Sequence, residues 1–175
     1  MSTAPSSAIR HPDRFYICGE WVNHARAANI DVINSGTEEL FIRVAEAQEA
    51  DVNRAVAAAR AAFDTGPWRR MTHGQRAEYL RAIARELPNY VERAAPIWTI
   101  ESGLLHSYAK AGWADLVNTY NYYAGLADTF AFEERREPSP GIANFGLLVR
   151  EPVGVVAAII PWNGPPRLIA HKCAP

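Results

Sequence analysis

The longest uninterrupted apolar run in the chain is Val153-Gly154-Val155-Val156-Ala157-Ala158-Ile159-Ile160, introduced by the charged turn Arg150-Glu151-Pro152. A run this rich in β-branched residues reads as a strand buried on both faces, as in a parallel sheet. Pro161 has no N–H to give a ladder, so the strand is expected to stop there. Trp162 and Asn163 follow at its carboxyl end, and Gly164-Pro165-Pro166 opens a helix. Ligands of open α/β sheets sit at the carboxyl ends of strands. Trp162 and Asn163 therefore form a candidate site.

Upstream, the pattern is first strand-like and then helical. Phe15 to Val22 reads as two short strands around a Gly-containing turn, Asp31 to Asn34 as a third, and Leu40 to Ala45 as a fourth. Val52, Val56, Ala59 and Phe63 make one apolar stripe on a helix over 50–63, which Gly66-Pro67 ends. Thr72 with Gln75 is a capping box, and the helix after it turns Leu80, Ile83, Ala84 and Leu87 to one face. Pro88 should split that helix, with a further helix from Tyr90 towards Ile100. His106 to Phe130 is a long helix with Trp113, Leu116, Val117, Tyr120, Tyr123, Leu126 and Phe130 at helical spacing. Such a stripe is more often core than a tunnel lining. Glu133 to Glu137 reads as a solvated charge run, 138–141 as a linker, and Asn144 to Arg150 as an exposed strand without a C-terminal partner strand from its own chain.

Composition narrows the class. With 175 residues and 49% hydrophobic content, the chain can bury one real core. A net charge of −1 gives no footprint for nucleic acid or anionic lipid, so neither nucleic acid nor membrane is expected as a partner. The apolar run is too short to span a bilayer. Two cysteines make no disulfide framework, so a reducing, cytoplasmic location is expected. Residues 1–14 are polar and Ser/Ala/Pro-rich, and are expected to form a frayed terminus rather than a secretory signal.

Glu151-Pro152-Val153-Gly154 through Pro161-Trp162-Asn163, followed by Lys172-Cys173-Ala174-Pro175, resembles the first cofactor-binding strand and following helix of the NAD(P)-dependent aldehyde dehydrogenases. The opening Ile17-x-Gly19-x-Trp21-Val22 and Asp51-Val52-x-x-Ala55-Val56 through Trp68 are similar to that family too. The implied fold is α/β: the N-terminal part of a Rossmann-type cofactor domain, ending after its first cofactor-binding strand. A flexible terminus over 1–14 precedes a hairpin and helical part over 15–143. An oligomerisation-type ribbon strand over 144–151 and the first strand and helix start of the dinucleotide fold over 152–175 complete the chain. The implied activity is oxidation of an aldehyde to a carboxylic acid with NAD or NADP, in a homo-oligomer. The nucleophilic Cys and general-base Glu would lie beyond these residues. The 175-residue chain by itself is then expected to be inactive. The alternative is a non-catalytic truncated product or a subunit-interaction module that pairs through Asn144 to Arg150.

The resemblance makes Asn163 the catalytic residue, its amide N–H₂ stabilising the oxyanion formed when a thiolate adds to the aldehyde. Read without the motif, Asn163 before Gly-Pro suits a helix N-cap, and the two roles are compatible. Ile159, Ile160, Pro161 and Trp162 are similar to the residues lining the nicotinamide-ribose half of the cofactor. A buried strand end is the plain alternative for them. Lys172 reads as a helix-surface lysine, and Cys173 as a small apolar residue two positions from His171, a spacing that shares no helix face. Cys18 lies in the hairpin. The five histidines lack metal-ligand spacing, so no metal is expected. The chain departs from the family at Leu104, where a Lys is usual, and at Gly164-Pro165-Pro166-Arg167, where apolar residues are usual.

Overall fold

The computed structural model describes residues 9–138, 140–141 and 144–175. The chain opens with hairpin β1 (Arg14–Ile17) and β2 (Glu20–Asn23). Its two-residue turn takes positive φ at both positions, 55° at Cys18 and 85° at Gly19, the twist that suits antiparallel strands. A second antiparallel pair follows, β3 (Asn29–Ile33) with β4 (Leu40–Ala45), with a register irregularity between Val32 and Ile33. The expected terminal disorder falls largely on 1–8, outside the described residues. From His11 the chain is held: its ring lies 4.6 Å from that of Trp21, and the Pro12 carbonyl accepts from Ala45 N–H.

Helix α1 (Glu49–Thr65) is fixed at its start by Asp51, only 2% exposed. Its carboxylate accepts from the backbone N–H of Ala25 at 2.8 Å and Gln48 at 3.0 Å, and from Arg54 Nη2 at 2.6 Å. The first turn of α1 is thereby tied to the segment leaving β2. Helix α2 (His73–Glu86) carries the expected Thr72–Gln75 capping box. Pro88 interrupts it: residues Leu87–Tyr90 form a 3₁₀ turn, and α3 (Val91–Ser102) resumes before Gly103 caps it at φ 71°. Trp113 on α4 (His106–Gly125) donates its indole N–H to the Leu87 carbonyl at the break, at 2.9 Å.

The core forms where α2, α4 and α5 (Pro165–Cys173) meet. Trp113, Leu116 and Tyr120 project from α4 into a cluster with Ala84, Ala170 and Ala174. A second cluster, Ala95, Trp98 and Ala109, joins α3 to α4. In both, large residues on one helix meet alanines on its neighbour, and this lets the backbones approach closely. At Gly112 the approach is tightest: a Cβ there would lie 3.0 Å from the Trp98 ring.

The structure corrects three expectations. The run Val153–Ile160 is not a laddered, buried strand. It is irregular and unpaired, with Val153 93% and Ile159 83% exposed. A strand needs neighbours, and none of the described strands lies beside it. The α1 stripe is uncovered as well: Val52 and Val56 are each 51% exposed, and among the described residues α1 packs mainly against β1 and the short turn after it. Finally, the charge run, expected only as a solvated face, forms strand β5 (Glu133–Arg136), antiparallel to β6 (Gly146–Val149), so the ribbon pairs with the segment that precedes it. Charge pairing explains this. Glu134 binds both Arg136 and Arg150, at 2.7 and 2.6 Å, and Arg135 lies over the Phe145 ring. Both faces of a two-stranded ribbon meet solvent, so charged residues suit it. The linker expected over 138–141 includes Ser139, outside the described residues.

Two outcomes follow for stability. Gly112→Val should destabilise the fold by about 1–3 kcal/mol in chemical denaturation, since the added atoms meet the buried Trp98 ring. Asp51, held below the usual carboxylate range by its Gln48 backbone bond and by Arg54, contributes stability above its unfolded-state pKa. That contribution is lost as pH falls through the folded value. The stability gap between wild type and Asp51→Asn should therefore be largest near neutral pH and close below about pH 4.

Candidate functional site

Asn163 stands between the unpaired segment and α5. Its main-chain carbonyl accepts from Trp98 Nε1 at 3.4 Å, which ties this point of the chain to α3. The N-cap of α5 is Gly164, with φ −150° and no capping side chain, so Asn163 does not serve as the cap. Pro165 and Pro166 occupy the first helical turn, where their missing N–H groups cost nothing. The Asn163 side chain is exposed and makes no hydrogen bond among the described residues. Its amide donors are thus free for another group while its backbone is anchored.

Ile159, Pro161 and Trp162 are exposed and Ile160 half-buried. Trp162 is 75% exposed, so the plain reading of these residues as a buried strand end does not hold. Apart from Ile159 N–H, which bonds the Ala157 carbonyl, this backbone makes no hydrogen bond among the described residues. Apolar side chains and open carbonyls fit the nicotinamide-ribose half of a dinucleotide. They do not fit its pyrophosphate. Anion sites at helix starts use backbone N–H groups, and α5 begins with two prolines that have none.

The long helix α4 presents two faces. Trp113, Leu116 and Tyr120 are core, as their spacing favoured, and burial followed by the nearby Cys173 pushes the Tyr120 hydroxyl pKa up. The other face, with Asn118, Thr119, Tyr122 and Tyr123, joins His171 of α5 around a cleft of about 500 Å³. Sequence reasoning missed this cleft. The signal lay in α5: Arg167 and His171 are four apart, hence neighbours on one face. Trp98 was missed too, and nothing local reveals a contact 65 positions away. Cys173 and Cys18 are both exposed free thiols, so Cys173 is not the buried apolar residue expected. Lys172 is exposed in the last turn of α5. Among the described residues no three His, Cys, Asp or Glu side chains gather as a metal site, and no helix is long and apolar enough to cross a membrane.

Comparison with known proteins agrees with the resemblance read from the motifs. Residues 21–175 match the model of the aldehyde dehydrogenase family. Aldehyde dehydrogenase 1 of Tanacetum cinerariifolium is 36% identical over 165 residues, 93% of this chain and 32% of that protein. Betaine aldehyde dehydrogenase of Bacillus subtilis is 33% identical, over 91% of this chain and 32% of its own length. A crystal structure of betaine aldehyde dehydrogenase from Staphylococcus aureus in complex with NAD+ superposes with a TM-score of 0.87 at 36% identity. That superposition covers 97% of this chain and 34% of the solved one. The chain thus spans about a third of the length of the relatives it matches. The solved complexes agree with NAD or NADP as the family's cofactor. With the match running from the β2 strand through Asn163 to the last residue, the chain belongs to the aldehyde dehydrogenase family.

Proposed function

We propose that these residues are the N-terminal portion of an NAD(P)-dependent aldehyde dehydrogenase that oxidises an aldehyde to a carboxylic acid, with Asn163 as its oxyanion-stabilising residue. The observation that carries this reading is the state of Asn163: backbone tied to Trp98, amide exposed and unengaged, directly after the exposed run to Trp162. Adding a thiolate to an aldehyde carbonyl turns its oxygen into an oxyanion. A preorganised N–H₂ aimed at that oxygen stabilises it by a few kcal/mol in a dry site, because no solvent must reorient. Ile159, Ile160, Pro161 and Trp162 hold the nicotinamide-ribose half, side chains by apolar contact and carbonyls by accepting from ribose hydroxyls. When bound, NAD(P) supplies the hydride acceptor.

The nucleophilic Cys and the general-base Glu are assigned to residues outside these 175. Cys18 and Cys173 are exposed, and neither hydrogen-bonds a base among the described residues. The chain alone is then inactive, and aldehyde turnover requires the whole enzyme. A reducing, cytoplasmic setting suits the two free thiols. The β5–β6 ribbon is read as the contact that builds a homo-oligomer. Phe145, Leu147, Leu148 and Val149 are exposed on it, and neither outer edge has a strand neighbour among the described residues.

In the whole enzyme, Asn163→Ala should lower kcat by about 10²–10³, followed as NAD(P)H absorbance with a saturating aldehyde. Turnover within threefold of wild type would remove Asn163 from the chemistry. Leu148→Lys should shift the enzyme to a smaller species in analytical ultracentrifugation, because a charge on an apolar sheet contact opposes association.

A further inference from the structure

Trp98 occupies a seat that α4 leaves for it. Its side chain is buried and packs with Ala95 of its own helix and Ala109 of α4. Gly112, three residues on from Ala109, has no Cβ, and a Cβ there would lie 3.0 Å from Cζ3 and 3.1 Å from Cη2 of the indole. Those two atoms form the outer edge of the six-membered ring. An indole is planar and rigid, so holding that edge directs the five-membered ring, which carries the N–H. Nε1 donates across to the Asn163 main-chain carbonyl at 3.4 Å, joining residues 65 positions apart. An indole has one donor and no acceptor, so the Trp98 side chain has nothing further to offer a ligand.

Asn163 receives this bond where little else holds it. Its main chain takes part in no backbone–backbone hydrogen bond among the described residues, and the run before it has no strand partner there. After it, Gly164 leads into the two prolines of α5, whose rings fix φ. The chain is thus stiff beyond Asn163 and loose before it, and the indole supplies the missing restraint. We propose that Trp98, seated against Gly112, is a positioning residue for the reaction: it fixes the Asn163 main chain and so aims the amide N–H₂ at the developing oxyanion. This role rests on the reading of Asn163 as the oxyanion residue. An oxyanion donor works only within about 2.7–3.1 Å of where the charge forms, and a displacement of about 1 Å can cost on the order of 10²-fold in rate. The indole bond is long for an N–H···O contact, which places the expected loss below that of removing the amide itself.

The whole enzyme is assayed as wild type, Trp98→Phe, Gly112→Ala, Asn163→Ala and the double variant Trp98→Phe/Asn163→Ala, with NAD(P)+ and the straight-chain aldehyde that wild type oxidises fastest. Phe keeps an aromatic ring in the seat and removes the N–H. Trp98→Phe should lower kcat at least about fivefold and leave KM for the cofactor within about twofold of wild type, since the lost contact acts on the chemical step and not on cofactor binding. In the Asn163→Ala background the same change should cost less than about twofold, because the tie acts through the amide alone. Gly112→Ala crowds the ring and leaves its N–H, and should lower kcat at least about threefold with the same split. It decides the matter if Trp98→Phe does not fold by circular dichroism. A slow Asn163→Ala beside a deciding variant with kcat within about twofold of wild type would overturn the role of Trp98 and leave Asn163 in the chemistry. A loss of full size in the double variant, the mark of general damage to the fold, would overturn it as well. Asn163→Ala as fast as wild type, or no aldehyde oxidised by wild type, removes the proposed function and the role of Trp98 with it.

Discussion

The meeting of α4 with its neighbours is the constraint on which the rest of this chain depends. Trp113, Leu116 and Tyr120 fill the space between helices, and Ala84, Ala170 and Ala174 let the helices come close enough to be filled. Each large side chain removes apolar area worth about 2–3 kcal/mol from water, and the alanines opposite add no bulk of their own. The same contact fixes α5, a helix of only 9 residues that could not persist alone. Through α5 it sets where Arg167 and His171 stand, and through Gly112 and Trp98 it sets where the Asn163 backbone is held.

This gives the candidate site a graded construction. The main chain at Asn163 is pinned by an indole that belongs to the α3–α4 cluster, so its position follows helix packing rather than local preference. The residues before it, from Val153 to Trp162, have no such tie and face solvent. Anchoring is therefore found at Asn163 and α5, the proposed oxyanion position, and is lacking along the exposed apolar run that leads there.

Exposed apolar surface is unevenly distributed. One share lies on the run at Val153, Val156 and Ile159, one on α1 at Val52 and Val56, and one on the ribbon at Phe145 to Val149. The core holds without any of them. In the ribbon, ion pairs around Glu134 fasten the two strands while their apolar side chains stay uncovered. Exposed pairs of this kind add little stability, so they serve to fix register more than to hold the fold.

Much was legible in the sequence because it is local. The Thr72–Gln75 box, the break at Pro88, the hairpin turn at Gly19 and the proline start of α5 each depend on neighbours within a few residues, and each formed where expected. The stripe also read correctly as core at Trp113, Leu116 and Tyr120, but the helix ends at Gly125, short of the expected Phe130, which is 45% exposed. The motif ending in Asn163 identified the family by residue order alone. What the sequence could not decide were matters of partnership. Whether Val153–Ile160 is a strand depends on a ladder partner, and whether Val52 and Val56 are buried depends on a second layer. Whether a charge run pairs as a strand depends on what lies opposite it. Only the tertiary structure brought Trp98 to the Asn163 carbonyl and His171 to Asn118 and Tyr122, because those contacts join segments that periodicity treats as independent.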